Sequence, residues 1–346
     1  MVRGGIETTI GMKSNGDIVT LFKPVDQVLS SNNPKLQLPL NITCRRGRRA
    51  ALGLLEIVVE SKEGSADWKL KLEDINITRQ FKPTTSLNLE DKQLNIYKFA
   101  YDITSILNTP EFLGKEGVNL VIKHEGGSPF RVKSLLFDVI LEDTDATTDY
   151  IHSTGLLVLD SGDEYTIPTK LHAGYNATAR LIAYSLRKAS LEVATTSDHY
   201  SINLDQGLVE EHFFTVTNPI NISIKTKQSP QGGPVIVSSL TIYRNEVKAP
   251  ILEICGVYYT RRMGLNVVSL RICNKGDSRP DKLIITLLRK GAIMNTISEQ
   301  SIALPPGGEL VKEIELAPGV TGELMVRLVW LKIGKRWVRD HIINIE

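Results

Sequence analysis

Cysteine, aromatic residues and an excess of charge of one sign are all scarce in this sequence of 346 residues. Its three cysteines are too few for the disulfide framework of a small secreted domain. Aromatic residues make up 6% of the chain, and we expect most of them to fill domain cores. Lysine and arginine number 41 against 39 aspartates and glutamates, and the resulting net charge of +2 argues against nucleic acid as a partner.

Long apolar runs are also absent. No segment approaches the roughly 20 apolar residues that are needed to span a bilayer. The first residues, Met1–Thr9, lack the apolar core of a signal peptide. We therefore expect no membrane span and synthesis in the cytoplasm.

Familiar catalytic motifs are missing as well. The histidines show neither a His-x-His nor a His-Glu-x-x-His pattern, and no Gly-x-Ser-x-Gly or phosphate-binding loop occurs. They are His124, His152, His172, His199, His212 and His341. Glu210, Glu211 and His212 could supply an acid and a base, although the two phenylalanines that follow favour the rim of a strand. We predict that the chain is not an enzyme and has no cofactor, while a carboxylate pair for sugar hydrolysis stays open because such pairs meet only in the fold.

One acidic run offers a candidate calcium site. Four carboxylates fall within eight residues, and calcium prefers clustered oxygen ligands. They are Glu142, Asp143, Asp145 and Asp149. The spacing lacks the glycine-bearing loop of an EF-hand, so a solvated linker between domains is the preferred interpretation.

One basic run offers a candidate partner-binding site. Its four arginines are Arg45, Arg46, Arg48 and Arg49. The planar guanidinium suits phosphate, carboxylate or an acidic protein face. Because no aromatic residue is interleaved for base stacking, we favour a solvated loop or a protein contact over nucleic acid.

Short runs rich in β-branched residues, bounded by turns, dominate the chain. Leu54–Glu60 and Phe130–Leu141 read as strands, and Gly126–Pro129 reads as a turn. Ile103–Leu107 fits one helical turn, and Arg180–Ala194 fits a pair of strands as well as a helix. These patterns predict an all-β fold of tandem β-sandwiches.

Two segments resemble each other and indicate a duplication. Residues 117–137 and 219–243 each contain a strand that ends in Ile-Lys, a Gly-Gly turn and a strand with Ser-Leu. Their offset of roughly 100 residues is the length of a whole sandwich domain. We predict a first jelly-roll-like sandwich over 1–145, a second over 150–247 and a third unit over 248–346.

The third unit resembles the cell-adhesion-related family of immunoglobulin-like domains. The resemblance rests on Pro250–Ile254, Leu270–Ser278, Leu283–Gly291, Ile302–Leu310 and Gly322–Val329. It implies an immunoglobulin-like sandwich that serves as a spacer or interaction module and has no catalytic residues.

The first unit is similar to jelly-roll domains of carbohydrate-binding modules and archaeal surface proteins. The similarity rests on Tyr101–Leu107 and Gly117–Ile122. Paired jelly rolls followed by an immunoglobulin-like domain also look like the plan of vertex and spike proteins in icosahedral archaeal viruses.

Cys255 and Cys273 flank a predicted hairpin centred near Gly264. Cysteines placed in this way can lie opposite each other on paired strands and form a disulfide. The alternative is two small buried apolar residues.

These features lead us to predict a non-enzymatic structural, assembly or adhesion protein, on a virion or cell surface and homo-oligomeric. A composition rich in Ile, Val, Lys and Glu suits a thermophilic archaeal system. One alternative is a carbohydrate-binding protein that uses the Asp102–Asn119 jelly roll. Its candidate aromatic platforms are Trp68, Tyr97, Tyr101, Tyr258, Tyr259, Trp330 and Trp337. Another is a glycan-directed hydrolase with carboxylates in the groove between two jelly rolls.

Overall fold

A computed structural model of the chain describes residues 2–42, 47–62, 67–77, 82–90, 93–169, 176–217, 219–228, 233–262, 265–300, 302–317 and 319–345. Strands make up 73% of the structure and helices 3%, which confirms the predicted all-β multi-sandwich class. The chain divides into two compact units, Met1–Glu246 and Val247–Glu346. The division of the first unit into domains at 145–150 stays a prediction.

The first unit is built from strands of 2 to 14 residues and two short helices. In chain order these are β1 (Arg3–Ser14), β2 (Gly16–Leu29), β3 (Lys35–Asn41), β4 (Ala50–Ser61), β5 (Asp67–Leu72), β6 (Ile75–Asn76), β7 (Thr85–Leu89), β8 (Leu94–Asp102), α1 (Thr104–Leu107), α2 (Pro110–Leu113), β9 (Gly117–Gly126), β10 (Phe130–Glu142), β11 (Ala146–Leu159), β12 (Glu164–Pro168), β13 (Asn176–Ser185), β14 (Ala189–Ala194), β15 (His199–Leu204), β16 (Val209–Thr217), β17 (Asn221–Thr226) and β18 (Val235–Val247).

The second unit consists of seven described strands. They are β19 (Leu252–Arg262), β20 (Leu265–Asn274), β21 (Lys282–Arg289), β22 (Ala292–Gln300), β23 (Glu309–Leu316), β24 (Gly322–Lys332) and β25 (Lys335–Ile345).

Two jelly rolls make up the first unit. In the first roll, one sheet has the order β2-β10-β4-β8-β7 and the other the order β3-β9-β5-β6. In the second roll the orders are β1-β11-β18-β13-β16 and β12-β17-β14-β15. Each roll has eight strands when β7 and β1, which extend the two five-stranded sheets, are left out of the count. In each roll the first, eighth, third and sixth strands form one sheet, and the second, seventh, fourth and fifth form the other. This order is jelly-roll connectivity.

The two similar sequence segments occupy equivalent positions in the two rolls. The first segment contains β9 and β10, and the second contains β17 and β18. In both rolls these are the last two strands, and they lie in opposite sheets. The equivalence supports the duplication that the sequence indicates.

The two five-stranded sheets pack face to face, so the first unit has four layers. β9 alternates between buried and exposed residues, because one of its faces meets solvent. Almost every residue of β10 and β4 is buried, because the outer face of their sheet meets the other roll. The resulting apolar contact between the rolls includes Leu136, Leu156, Ile182 and Ile236.

The chain passes between the stacked sheets at two adjacent corners. One corner joins β1 to β2 at Asn15, and the other joins β10 to β11. Asp143 N donates to Asn15 O at 3.2 Å, which ties the corners together. As a result β1 pairs with β11 and extends a sheet of the second roll, although β2 belongs to the first.

The second unit is a sandwich of three and four strands. Its sheets have the orders β19-β20-β23 and β22-β21-β24-β25, and all the strand pairs are antiparallel. Alternate residues such as Val268, Leu270 and Leu328 fill the core between them. Trp330 belongs to this core and donates from Nε1 to Pro250 O at 2.7 Å.

Two local predictions can now be compared with the structure. Arg180–Ala194 contains two strands, β13 and β14, so the helical alternative is wrong. One helical turn does follow β8, and Thr104 N donates to Asp102 Oδ1 at 2.9 Å at its start. In the part of the chain that is described, no helix is long and apolar enough to cross a membrane.

Candidate functional site

A layer of fully buried polar side chains lies between the two five-stranded sheets. One sheet contributes Glu56 from β4, Lys98 from β8 and Asp138 from β10, and the other contributes His152 from β11 and Arg180 from β13. Each of these side chains is at most 2% exposed. Charges in such a place are stable only when they are paired and hydrogen-bonded.

The first group in this layer is centred on Glu56. Lys98 Nζ lies 2.9 Å from Glu56 Oε2, and His152 Nε2 lies 2.9 Å from Glu56 Oε1. Ser239 and Thr154 also donate to this carboxylate. Burial raises the pKa of Glu56, but the charges of Lys98 and His152 and the hydrogen bonds outweigh burial, so the pKa lies well below its usual value.

The second group is centred on Asp138. Arg180 forms a fully buried ion pair with Asp138, and Tyr150 donates its hydroxyl to the same carboxylate at 2.8 Å. Burial and the neighbouring Asp138 raise the pKa of Tyr150 well above its ordinary value. Both groups join the two sheets. Because Glu56 pairs with Lys98 and Asp138 pairs with Arg180, we assign the groups a structural role.

A third group, half-buried, lies at the rim of the same contact. Lys133 Nζ is 2.6 Å from Asp26 Oδ1 and 2.7 Å from Gly207 O, and it sits over the ring of Tyr184. Burial raises the pKa of the Glu60 carboxyl despite the nearby Lys133. A raised carboxyl pKa is typical of groups that serve as proton donors, so Glu60 is a candidate acid on the first unit.

The candidate acid and base residues of β16 form two separate contacts. Glu211 Oε1 lies 3.6 Å from Arg180 Nη1, and burial raises the pKa of Glu211. His212 Nε2 lies 3.4 Å from Glu210 Oε2, and burial lowers the pKa of His212. Glu210 and His212 therefore lie beside each other, whereas Glu211 contacts Arg180. His172 lies outside the described residues.

The calcium candidates are not brought together. Asp143 pairs with Arg48 at 3.1 Å, and Asp149 lies 3.9 Å from Lys13. Glu142 is exposed at the end of β10, and Asp145 N donates to Asp143 Oδ1 across the corner. Among the described residues these four do not form a group whose ligand atoms lie within 4.8 Å of one another.

The arginine run is only partly described. Arg45 and Arg46 lie outside the described residues, as does Cys44. Arg49 is exposed, and its carbonyl accepts a hydrogen bond from Glu142 N at 2.8 Å. Arg48 forms an ion pair with Asp143, which lies at the corner between β10 and β11. At this position the arginine therefore contributes to the fold.

The tryptophans form no open platform for a sugar. Trp68 is completely buried against Phe99 and Phe130, and Trp330 is 4% exposed. Trp337 is half-buried and packs on the core of the second unit. Of the candidate aromatic residues in this unit, Tyr258 and Tyr259 are exposed, at 52% and 40%.

The cysteine pair is joined across the β19–β20 hairpin. Cys255 and Cys273 form a disulfide with a Cα–Cα distance of 5.9 Å, where a bulge between Ile254 and Gly256 shifts the register. Glu309 of the neighbouring β23 is the cross-strand partner of Cys273. Sequence reasoning identified the two cysteines but missed Glu309, because its proximity depends on the order of the sheet.

One edge of the second unit leaves apolar side chains exposed. Val257 and Tyr259 pair with Leu270 and Val268, so they lie on the core-facing side of β19, yet they are 37% and 40% exposed. The opposite sheet therefore does not cover this end of β19. Such an uncovered edge strand is a common place for protein contacts.

The two edges of this three-stranded sheet differ in charge. At the β19 edge, Arg261 and Arg262 follow the exposed tyrosines, and both are exposed. At the β23 edge, the exposed side chains are Glu309, Val311, Glu313 and Glu315. Among the described ion pairs, one joins the two edges: Arg262 contacts Glu313 at 3.1 Å.

Glycoside hydrolases are among the solved structures that are similar to this chain. The domain of Endo-D from Streptococcus pneumoniae matches with a TM-score of 0.20 and 9% identity, over 56% of this chain and 33% of its own. A β-glucuronidase from Ruminococcus gnavus gives 0.22 and 10%, over 58% and 37%. β-Glucuronidase 3 of Bacteroides uniformis gives 0.22 and 12%, over 55% and 26%. This chain therefore spans about a third of the length of these enzymes or less.

These matches contradict the prediction that the chain is not an enzyme, and we withdraw that prediction. TM-scores near 0.2 and identities of 9–12% do not by themselves assign an activity. No protein-family model and no curated protein sequence matches the chain.

Proposed function

We propose that this chain is an assembly or adhesion protein that displays rigid β-sandwich modules on a virion or cell surface of a thermophilic archaeal system. Its second unit acts as an immunoglobulin-like module of the cell-adhesion-related kind. The observation that carries the proposal is the pair of complementary edges on the β19-β20-β23 sheet. One edge is basic with exposed apolar side chains, and the other is acidic.

Complementary edges on one sheet favour contact between copies of the same chain. The β19 edge of one copy docks on the β23 edge of the next, with Tyr258 beside Val311 and Arg261 facing the glutamates. Edge strands can pair in this way because their outer N–H and C=O groups have no strand partner in the sheet. A head-to-tail contact of this kind builds rings or filaments, which suits an assembly protein.

Light scattering after size exclusion tests the proposal with the full chain. We expect oligomers at low salt that dissociate as salt screens the opposite charges. Arg261→Glu and Glu315→Arg should each give monomers. A mixture of the two variants should re-form the oligomers, because both contacts between unlike variants pair opposite charges.

Ile293→Glu provides the matched control. Ile293 is 69% exposed on β22, an edge strand of the other sheet, so this variant should assemble like the wild type. A wild-type chain that stays monomeric at every concentration and salt would contradict the proposal. Recovery of the native protein from particle or envelope fractions would support the surface location, and recovery only from the cell interior would contradict it.

A second candidate function, a glycan-directed hydrolase, is favoured by Glu60. Its carboxyl is half-buried, its pKa is raised, and Oε1 has no hydrogen-bond partner in the structure. Such a group can protonate the leaving oxygen of a glycosidic bond.

Release of reducing sugar from aryl glycosides and of glycans from glycoproteins tests this candidate. We expect turnover by the wild type, and a loss of about 100-fold or more in Glu60→Gln because the general acid is removed. Glu125→Gln, on the exposed side of β9, should keep full activity. Absence of turnover on the whole panel would rule this candidate out and would leave the assembly proposal unaffected.

A further inference from the structure

The outer face of the β19-β20-β23 sheet holds a compact group of sulfur and oxygen ligands. Among the described residues, Cys255, Cys273 and Glu309 are the one set of three whose potential ligand atoms all lie within 4.8 Å of one another. They come from three neighbouring strands, and Cys273 is paired in register with Glu309. Three adjacent strands hold their backbones in place whether or not the sulfur atoms are bonded.

We propose that the reduced form of this protein binds a zinc-class divalent cation through Cys255, Cys273 and Glu309, and that the disulfide is the metal-free state of the same site. Cysteine thiolate and carboxylate are both common zinc ligands, and a site with three protein ligands leaves the fourth position to water.

The distances suit a tetrahedral metal. Cys273 Sγ lies 3.6 Å from Glu309 Oε1. Zinc–sulfur and zinc–oxygen bonds of about 2.3 and 2.0 Å place the two ligand atoms about 3.5 Å apart at a tetrahedral centre. The Cα–Cα distance of 5.9 Å lets the two sulfur atoms separate by side-chain rotation without movement of the strands.

The charges also suit a metal. Two thiolates, one carboxylate and a divalent cation leave one negative charge. Arg271 offsets it, because its Nη1 lies 3.8 Å from Glu309 Oε2 and its Nη2 donates to Cys255 O at 3.3 Å.

Access and folding pose no obstacle. Glu309 is exposed and Cys255 is half-buried, so a cation can reach the group from the side of these two residues, while Cys273 is 3% exposed. The core cluster of the second unit, as far as it is described, contains neither cysteine, so reduction leaves the packed core in place.

The reaction is balanced by a dithiol reductant. The dithiol gives two electrons and two protons to the disulfide, which becomes two thiols while the reductant becomes a disulfide. The cation then replaces both thiol protons, which pass to solvent, and forms two metal–sulfur bonds and one metal–oxygen bond.

Cobalt titration of the full chain tests the proposal. The protein is reduced with a dithiol, separated from it by gel filtration under nitrogen and titrated with Co²⁺. We expect one cobalt per chain, with thiolate-to-cobalt charge-transfer bands and the visible spectrum of a tetrahedral site. Zinc should displace the cobalt and raise the melting temperature of the reduced protein, whereas the oxidised protein should show neither effect.

Variants separate the three-ligand site from adventitious thiol binding. Cys255→Ser should abolish the charge-transfer bands, and Glu309→Gln should weaken binding by about 10-fold or more. Cys44→Ser removes the remaining thiol, and Glu323→Gln removes an exposed carboxylate on β24; both should bind like the wild type. Equal binding by Glu309→Gln, loss of binding in Cys44→Ser, or unfolding of the reduced protein without metal uptake would each overturn the proposal.

Discussion

Lys98 Nζ lies 2.9 Å from Glu56 Oε2 between two stacked β-sheets, and their side chains are 1% and 2% exposed. Lys98 also donates to Ser239 Oγ at 2.9 Å, on the opposite sheet. The pair therefore links the two jelly rolls as well as two strands of one sheet. A buried pair of this kind does not by itself stabilise a fold relative to apolar residues, but removal of one partner is costly because a charge is left buried.

We therefore expect Lys98→Met to lower the free energy of unfolding of the first unit by about 3–5 kcal/mol. The measurement is urea denaturation followed by the fluorescence of Trp68, in a Trp330→Phe/Trp337→Phe background. Lys123→Met, at an exposed position of β9, should change it by less than about 0.5 kcal/mol. Equal stability of the two variants would show that the pair is not desolvated in solution.

The stability of the first unit should fall in acid because of Glu56. The pKa of Glu56 is lowered in the folded state, so its stabilising contribution is complete above its unfolded pKa of about 4.3. The contribution is lost as pH falls towards the folded pKa, with a slope of about 1.4 kcal/mol per pH unit. The raised pKa values of Glu60 and Glu211 act in the opposite sense, since their contributions are lost as pH rises.

Comparison of Glu56→Gln with the wild type isolates this contribution. The variant should be the less stable of the two at neutral pH, and the difference should shrink below about pH 4. Glu125→Gln should follow the wild-type profile throughout. A difference between Glu56→Gln and the wild type that does not change with pH would be incompatible with a lowered pKa.

The pairing of β1 with β11 depends on a close approach at Gly155. A Cβ atom at this position would lie 2.1 Å from Gly5 O, and the residue has a φ of +155°. We expect Gly155→Ala to cost about 1–3 kcal/mol and to speed hydrogen exchange of the β1 amides. Gly11→Ala on β1 meets nothing within 4 Å and should leave exchange unchanged. Unaltered protection in Gly155→Ala would contradict this pairing.

Asn274 organises the turns at one end of the second unit. Its buried amide donates to Ser278 O at 2.8 Å and Leu304 O at 3.0 Å, and Oδ1 accepts from Gly276 N at 3.0 Å. Asn274→Asp replaces two donors by acceptors, so we expect a loss of about 2–4 kcal/mol in the second unit. Fluorescence of Trp330 and Trp337 during denaturation measures the change. Asn295→Asp, on the edge strand β22, is the control that should be nearly neutral.

Some of the site could be predicted because the responsible contacts are local. Cys255 and Cys273 face each other since they flank one hairpin, and strand pairing over so short a loop follows from the turn. Glu309 joins them only through the placement of β23 beside β20, nearly 40 residues further along the chain. Its position directly after the Pro305–Gly308 turn offered no signal of that neighbour.

The buried charges left a weaker signal that sequence reasoning did not use. Glu56 and Asp138 each interrupt an apolar run, Leu54–Val59 and Leu135–Leu141. A strand with one covered face should place such residues on the solvent side. In the structure both faces are covered, because a second sheet packs on the outer side of the first.

The sequence by itself determined the all-β class and the turns around Asn274, and the similar segments 117–137 and 219–243 indicated a duplication. These depend on period-two patterns and on residues close together in the chain. Only the tertiary structure decided that β1 crosses into the second roll, that two sheets stack through a charged layer, and that Glu309 joins the cysteines. Those contacts connect positions far apart in the chain, and the pattern of a single strand specifies which side is apolar but not which sheet will cover it.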